Sequence, residues 1–198
     1  MAKKKLGTLN KSQRFEEIVK CGNDPKYFIK KYIKISHPTK GLVKFELYPF
    51  QEDCLDSYLI HKKVIINKSR QLGLSTVSAA YALWMALFHR ERNILIIATK
   101  LDVAKNFIRK VRANLEGLPD WLVLPKITAE SVKYLQFSNG SQIKAIPTSA
   151  DAGRSEALSL LIVDECLNGN TYVTIRNKLT GEIKHVNMNA IYDNEEYK

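Results

Sequence analysis

Residues 64–88 read VIINKSRQLGLSTVSAAYALWMALF, and this stretch is the most informative about the fold class. The apolar run Val64-Ile65-Ile66 predicts a short strand, and residues 75–88 predict a long apolar helix. The loop between them is Lys68-Ser69-Arg70-Gln71-Leu72-Gly73-Leu74-Ser75-Thr76. A loop that leads from a strand into a helix can surround an anion with backbone N–H groups and a helix N-terminus. The stretch therefore predicts a nucleotide phosphate loop.

The loop departs from the usual G-x-x-x-x-G-K-[ST] pattern in one respect. Gly73 and Ser75 occupy the glycine and hydroxyl positions, the hydroxyl being the group that reaches Mg²⁺, but Leu74 stands where lysine is expected. Lys68 or Arg70 can supply the cation instead, since arginine binds phosphate oxygens bidentately. An ordinary strand–loop–helix joint explains the bare pattern equally well. The candidate nucleotide-binding residues of the loop are Lys68, Arg70, Gln71, Gly73, Ser75 and Thr76.

Helices and strands alternate along the rest of the chain. Predicted helices cover 11–20, 24–34 and 101–116, and predicted strands cover 94–97 and 158–163, with a hairpin of 133–137 and 142–146 around Asn139-Gly140. Apolar strands separated by helices favour a parallel sheet that is covered on both faces. The fold class expected is α/β, with the core of a P-loop ATPase.

A second motif ends the last of these strands. Leu160-Leu161-Ile162-Val163 is followed by the two carboxylates Asp164 and Glu165, as in a Walker B strand. Asp164 would hold Mg²⁺, and Glu165 would polarise the water that attacks the γ-phosphate. Any buried strand can end in Asp-Glu, so the motif gains its weight from the phosphate loop upstream.

Two further side chains are candidates. Arg154 lies in the loop eleven residues before Glu165, where it is either an arginine finger or a solvated loop arginine. Tyr48-Pro49-Phe50-Gln51 precedes the phosphate loop, so an aromatic ring could stack on adenine while Gln51 reads the edge of the base. A core Phe and a helix-capping Gln are equally compatible with that sequence.

Charge divides the chain at residue 165. The net charge is +11, from 31 basic and 20 acidic residues. Residues 166–198 hold four of each sign, so the other 27 basic and 16 acidic residues place the whole excess in 1–165. Such an excess favours a polyanionic partner. No apolar stretch is long enough for a membrane span, no signal peptide is visible, and the three scattered cysteines suggest neither disulfides nor zinc, all of which fits a cytoplasmic protein.

Taken together, the motifs resemble the ATPase domain of the large terminases of tailed phages, especially the T-even type. The resemblance covers about residues 40–165 and rests on these segments, in order: Tyr48-Pro49-Phe50-Gln51, Ser69-Arg70-Gln71-Leu72-Gly73, Leu118-Pro119-Asp120-Trp121-Leu122, Ser138-Asn139-Gly140-Ser141, Ser149-Ala150-Asp151-Ala152-Gly153-Arg154 and Ile162-Val163-Asp164-Glu165. Leu74 departs from the lysine that many members have, which leaves the roles of Lys68 and Arg70 open.

That resemblance implies an ASCE-type motor that uses ATP and Mg²⁺ to thread double-stranded DNA into a capsid. It implies that Arg70 is the Walker A arginine, that Gln51 reads adenine, and that Asp164 and Glu165 are the metal and catalytic carboxylates. Some members use a trans-acting arginine at the place of Arg154. The implied partners are the portal, the small terminase subunit and further copies in a ring, in the host cytoplasm at the procapsid portal.

The segment that begins at Cys166 has a different character. Cys166-Leu167-Asn168-Gly169-Asn170-Thr171-Tyr172-Val173, followed by Gly181-Glu182-Ile183, resembles the opening motif of inteins. The resemblance implies that the Cys166 thiol attacks the Glu165 carbonyl to form a thioester. Later intein blocks are missing from residues 166–198, so these residues cannot splice alone. Either they are the N-terminal half of a split intein, whose complementary chain carries the rest of the intein and of the terminase, or the sequence is truncated. The alternative is that Cys166 belongs to the terminase sequence and that the residues after it are an unrelated tail.

These readings predict three parts and leave rival functions open. The parts are an N-terminal helical segment (1–40), the first part of the ATPase domain (41–165), whose sheet is incomplete on its C-terminal side, and a β-rich intein fragment of the Hint type (166–198). One alternative is another nucleic-acid-dependent P-loop ATPase, similar to helicases, with an unrelated tail. Another is a non-catalytic basic DNA-binding module, although no helix-turn-helix or zinc pattern supports it.

Overall fold

The computed structural model describes residues 9–37, 39–69, 71–148, 157–164, 172–176 and 180–187. The chain forms two compact units, residues 1–164 and residues 165–198. The elements of the first unit are α1 (Lys11–Asn23), α2 (Pro25–Tyr32), β1 (Lys34–His37), β2 (Gly41–Lys44), α3 (Pro49–Ile60), α4 (Leu74–Phe88), β3 (Asn93–Ala98), α5 (Leu101–Glu116), β4 (Ile127–Ser131), β5 (Tyr134–Phe137), β6 (Gln142–Pro147) and β7 (Leu160–Asp164). The second unit contains β8 (Tyr172–Arg176) and β9 (Ile183–Asn187).

A five-stranded sheet in the order β4-β5-β6-β3-β7 is the centre of the first unit. Strand β3 pairs in parallel with both β6 and β7, whereas β4 and β5 run antiparallel to their neighbours. The sheet is therefore mixed, and the expectation of a parallel sheet holds only for its three strands β6, β3 and β7. The hairpin of β5 and β6 accounts for the difference, because a tight turn can join only antiparallel strands.

The two faces of this sheet are not equivalent. On one face, Ile96, Ala145 and Leu135 are buried, and they belong to the same core as helices α4 and α5. On the other face, Leu95 of the central strand β3 is 1% exposed, whereas Leu161 and Val163 of the edge strand β7 are 49% and 53% exposed. Among the described residues, the expected cover on both faces is thus found at the centre of the sheet but not at β7.

The predicted strand at Val64-Ile65-Ile66 is wrong. These residues belong to no strand in the part of the chain that the structure describes, and Ile65 is 86% exposed. An apolar sequence makes a strand only when a neighbouring strand accepts and donates its backbone hydrogen bonds. No described strand pairs with this segment, so its apolar composition does not give it regular structure.

The N-terminal helices belong to the same core as the sheet. Asp24 ends α1 and caps α2, because its carboxylate accepts the N–H groups of Lys26 and Tyr27, and Pro25 fits the first turn. Phe28 is fully buried and meets Phe88 of α4 edge-on, with ring centroids 5.3 Å apart. Residues predicted as a separate segment, 1–40, therefore contribute described helices to the core of the first unit.

A buried carboxylate joins α1 to α2. Glu17 is 7% exposed, and it accepts hydrogen bonds from the hydroxyls of Tyr27 and Tyr32 and pairs with Lys31 at 2.6 Å. Burial raises the pKa of Glu17, but the hydrogen bonds from Lys31, Tyr32 and Tyr27 and the charge of Lys31 outweigh it, so the pKa is lowered. The carboxylate is thus held in its charged form between the two helices.

The second unit contains an antiparallel hairpin. Strands β8 and β9 pair from Tyr172 opposite Asn187 to Arg176 opposite Ile183. A β-rich fragment was predicted over residues 166–198, and the described strands agree with its β character. Among the described residues of the whole chain, no helix has the length and apolarity needed to cross a bilayer.

Candidate functional site

The phosphate-loop sequence forms an irregular turn that leads directly into α4. Gln71 and Gly73 both have left-handed backbone conformations, with φ of 64° and 70°, and α4 begins at Leu74 with Gly73 as its N-cap. The first N–H groups of a helix have no carbonyl partner within it, and they attract an anion. The predicted strand is absent, but the loop and the helix have the form that a phosphate site requires.

The two predicted metal ligands meet. The Ser75 hydroxyl, in the first turn of α4, donates a hydrogen bond to Asp164 Oδ2 at 2.8 Å. Asp164 ends β7, where it pairs with Ala98 at the end of β3. Eighty-nine residues separate Ser75 from Asp164 in the chain, so only the fold brings them together. A hydroxyl and a carboxylate are hard oxygen donors of the kind that Mg²⁺ prefers, and the pair fits such an ion.

Gln51 lies under the loop. The Nε2 group of Gln51 donates to the carbonyl of Leu72 at 2.9 Å, and the Oε1 atom accepts the N–H of Tyr48 at 3.1 Å. Gln51 is 2% exposed. The glutamine is therefore a helix cap, one of the two roles that its sequence allowed, and it also contacts the phosphate loop.

Two aromatic rings, those of Tyr48 and Phe50, lie at the start of α3. Tyr48 and Phe50 stack with ring centroids 5.7 Å apart and planes 7° from parallel, and they are 64% and 37% exposed. The pair is open to solvent rather than part of the core. The interpretation of Phe50 as a core residue is therefore wrong.

Two polar side chains near the predicted metal ligands were not anticipated from the sequence. Tyr58 of α3 shares a hydrogen bond of 3.1 Å with Ser78 of α4. Burial raises the pKa of Tyr58, and the nearby charge of Asp164 contributes in the same direction. Tyr58 lies two helical turns after Gln51, and Ser78 lies three residues after Ser75, so their helical spacing was the available signal.

The structure describes only some of the remaining candidate site residues. Lys68 is half-buried and has no hydrogen bond or ion pair with any described residue. Thr76 uses its backbone N–H to close the first turn on the Gly73 carbonyl, at 2.9 Å. Arg70, Arg154, Glu165 and Cys166 lie outside the described residues. Within the described ranges, no group of three or more His, Cys, Asp or Glu side chains gathers around a common point.

Comparison with known proteins gives two findings. Residues 65–170, more than half of the chain, match the family model described as "Terminase large subunit, T4likevirus-type, N-terminal". The fold resembles the crystal structure of the HK97 bacteriophage large terminase, with a TM-score of 0.55 and 17% sequence identity. That likeness covers 72% of this chain and 37% of the HK97 chain, so this chain spans little more than a third of that protein.

Proposed function

Because the chain belongs to the terminase large subunit family, in its T4-like N-terminal part, we propose that it is the first part of an ATP-hydrolysing motor that packages double-stranded DNA. The observation that carries the proposal is the 2.8 Å contact between Ser75, in the first turn of α4, and Asp164 at the end of β7. A hydroxyl in a phosphate loop and an acidic residue on a neighbouring strand are the two groups that hold Mg²⁺ in P-loop ATPases.

The roles proposed for the other site residues follow from the charges that must be neutralised during ATP hydrolysis. Ser75 and Asp164 would hold Mg²⁺, which neutralises phosphate charge when it is bound with ATP. Arg70 or Lys68 would bind the β- and γ-phosphates in place of the lysine that Leu74 replaces. Glu165 would orient the attacking water, and Arg154 would stabilise the transferred phosphoryl group, within one chain or across a ring of copies.

The first test is Mg²⁺-dependent binding of ATP to the full chain, measured by calorimetry. We expect Ser75→Ala and Asp164→Asn each to weaken Mg·ATP binding by about tenfold or more, because each removes one oxygen ligand. The matched controls are Ser36→Ala and Asp53→Asn, which make the same changes at exposed positions away from the loop. Equal affinities in all four variants would contradict the metal site.

Hydrolysis is tested in the complete protein. We expect Glu165→Gln to bind ATP normally and to lose turnover by orders of magnitude, since its role is to orient water. Arg70→Ala should lose affinity or turnover several-fold. Normal kinetics for Arg70→Ala would transfer its role to Lys68, and near-normal turnover for Glu165→Gln would assign the water to another residue.

A basic groove on α5 supports contact with DNA. Lys105, Arg109 and Arg112 lie on one side of this helix and line a groove of about 470 Å³ together with Val132 of the β4–β5 turn. Arg112 is engaged by Glu130 at 2.6 Å, whereas Arg109 has no partner among the described residues. The groove thus keeps a net positive charge, and phosphates of a nucleic-acid backbone complement it.

Salt dependence tests this groove. We expect Lys105→Gln with Arg109→Gln to weaken binding of duplex DNA and to lower the slope of log K against log salt by about 1.8, or roughly 0.9 per contact. The control replaces Lys34 and Lys44, two exposed cross-strand partners in β1 and β2. A slope that falls equally in both double variants would show a general charge effect rather than a DNA groove.

We also propose that residues 166–198 are the N-terminal fragment of an intein. The Cys166 sulfur would attack the Glu165 carbonyl carbon, the peptide C–N bond would break, and the freed amine would take up a proton. The β8–β9 hairpin supports the proposal, since the motif calls for a strand, a turn and a second strand. The family match extends to residue 170, so it includes the first residues of this tail.

Mixing with the complementary chain tests the tail. Mass spectrometry should show a ligated product that lacks residues 166–198, and Cys166→Ala should abolish ligation while the two fragments still associate. Ligation by Cys166→Ala, or a gene that continues after Cys166 into ordinary terminase sequence, would contradict the assignment. The proposed motor would act as a ring of copies together with the portal and the small terminase subunit. Its proposed location is the procapsid in the host cytoplasm.

A further inference from the structure

The turn between β5 and β6, at the end of α4 that is far from the nucleotide site, contains the pair Asn139-Gly140. In an Asn-Gly pair the backbone nitrogen of the glycine can attack the side-chain amide of the asparagine, because glycine has no side chain to obstruct it. We propose that Asn139 is a deamidation site that the native fold protects. Chains that lose the fold are modified there, and the modification prevents them from refolding.

The reaction needs only water as a co-reactant. The Gly140 nitrogen forms a bond to Cγ of Asn139, the bond from Cγ to Nδ2 breaks, and Nδ2 leaves as ammonia with the proton that the Gly140 nitrogen has lost. Water then opens the cyclic imide at one of its two carbonyls, which gives aspartate or isoaspartate. The net change consumes one water, releases one ammonia and turns a neutral amide into a carboxylate.

The folded turn holds the groups that this reaction has to move. Asn139 Nδ2 donates to the carbonyls of Ala86 and His89 at 2.8 and 3.1 Å, and Oδ1 accepts a backbone N–H of the same turn at 3.1 Å. The attacking nitrogen, that of Gly140, donates to the Phe137 carbonyl at 3.0 Å. Because the attack breaks these hydrogen bonds, it requires the turn to open, by a local fluctuation or by unfolding of the chain.

The same fold makes the glycine hard to replace. Gly140 has a φ of 81°, which side chains other than glycine rarely adopt. A Cβ atom at this position would lie 3.1 Å from Cγ of Glu91, whose N–H donates to the Asn139 carbonyl at 3.1 Å. The residue that the turn requires is therefore also the neighbour that leaves Asn139 open to attack once the turn is lost.

Deamidation reverses the hydrogen-bonding character of this side chain. An amide nitrogen donates to the carbonyls at the end of α4, whereas a carboxylate only accepts hydrogen bonds. The Ala86 carbonyl then loses this donor, His89 keeps only the Ser141 hydroxyl, and a negative charge lies at the negative end of the helix dipole. Isoaspartate also adds a carbon atom to the backbone of the turn, so the modified chain is expected to refold poorly.

Peptide mapping by mass spectrometry tests the protection. The full chain is held at mildly alkaline pH with and without guanidinium chloride, and loss of the Asn139 amide is followed. Asn168 also precedes a glycine, so it is the internal reference for the unfolded chain. We expect both asparagines to react at similar rates in denaturant, and Asn139 to react at least about 100-fold more slowly without it. A rate at Asn139 that is the same with and without denaturant overturns the proposal.

Refolding tests the consequence of the modification. Asn168→Gln removes the other Asn-Gly pair, and this variant is kept in denaturant for increasing times and then diluted. We expect the refolded fraction to fall in step with the amide that remains at Asn139, and the refolded molecules to contain an intact Asn139. Deamidated chains that are as frequent among the refolded molecules as in the denatured sample overturn the proposal.

Two substitutions separate the new charge from the loss of hydrogen bonds. Asn139→Ala removes the donor alone, whereas Asn139→Asp also places a carboxylate at the end of α4, so we expect Asn139→Asp to unfold at the lower urea concentration. Asn106→Asp, at an exposed position of α5, is the matched control for the added charge and should unfold like wild type. An Asn139→Asp chain that is at least as stable as Asn139→Ala overturns the proposed block to refolding.

Discussion

The two ends of α4 are held in very different ways. At the C-terminal end, Asn139 Nδ2 donates to the carbonyls of Ala86 and His89 at 2.8 and 3.1 Å, and the Ser141 hydroxyl donates to His89 at 2.9 Å. These side chains belong to the β5–β6 turn, so the turn caps the helix. The Trp84 ring meets the His89 ring edge-on as well, with centroids 4.9 Å apart.

Among the described residues, the N-terminal end receives fewer hydrogen bonds from other elements. Ser75 bonds to Asp164, and Gln51 bonds to Leu72, but the segment before the loop belongs to no described strand and exposes Ile65 by 86%. The orphan carbonyls at one end accept hydrogen bonds from the β5–β6 turn, while no described side chain caps the N–H groups at the other end, which lie at the proposed phosphate site. Within the described residues, the fold thus holds the helix mainly at the end far from the proposed chemistry.

Asn139→Ala should give the largest loss of stability among the changes that test this comparison. It removes two hydrogen bonds to the end of α4 and a third to the N–H of Ser141, so we expect a loss of about 2–3 kcal/mol. Urea unfolding measures it. Asn106→Ala, at an exposed position of α5, is the control and should change stability by less than about 0.5 kcal/mol.

Gly73→Ala tests the other end of α4 and should cost about 1–2 kcal/mol, because alanine disfavours the φ of 70°. Gly117→Ala is the control, since Gly117 has an ordinary φ of −78° at the end of α5. We expect Gly73→Ala also to weaken binding of Mg·tripolyphosphate in a titration. An equal loss of stability in the two alanine variants would show that backbone strain at residue 73 is not the cause.

His89 should make a smaller, pH-dependent contribution. Burial lowers the pKa of His89, and the charge of Arg92 lowers it further. The unfolded chain then binds the proton more readily, so the folded state loses stability as the pH falls below about 6.5. Unfolding between pH 8 and 5 should show this decline, and His89→Gln should reduce it while His61→Gln, at an exposed position, should not.

Ile65→Ser should have the smallest effect. The side chain is 86% exposed, so we expect a change in unfolding free energy within about 0.5 kcal/mol. Thermal or urea unfolding of the isolated chain measures it. A loss of more than about 1 kcal/mol would mean that Ile65 is covered in solution and that the N-terminal end of α4 is better supported than the comparison states.

The elements that were predicted correctly are those that depend on interactions between residues close in the chain. The amphipathic repeat gave α5 at Leu101–Glu116, the Asp24-Pro25 pair gave the start of α2, and Asn139-Gly140 gave the β5–β6 hairpin. The hydroxyl of Ser75 and the carboxylate of Asp164 were also identified from their motifs. Helix periodicity, capping and turn chemistry act within a few residues, so the sequence alone determines them.

The way in which those elements support one another depends on the packed fold. The fold leaves Val64-Ile65-Ile66 without a described strand partner, makes the hairpin residue Asn139 also a helix cap, and bonds the Gln51 amide nitrogen to the Leu72 carbonyl. These outcomes depend on groups that are 21 to 53 residues away in the chain, or on a neighbouring strand. Backbone hydrogen bonds between distant segments and the burial of polar side chains are set by the packed fold, which is why no local pattern reveals them.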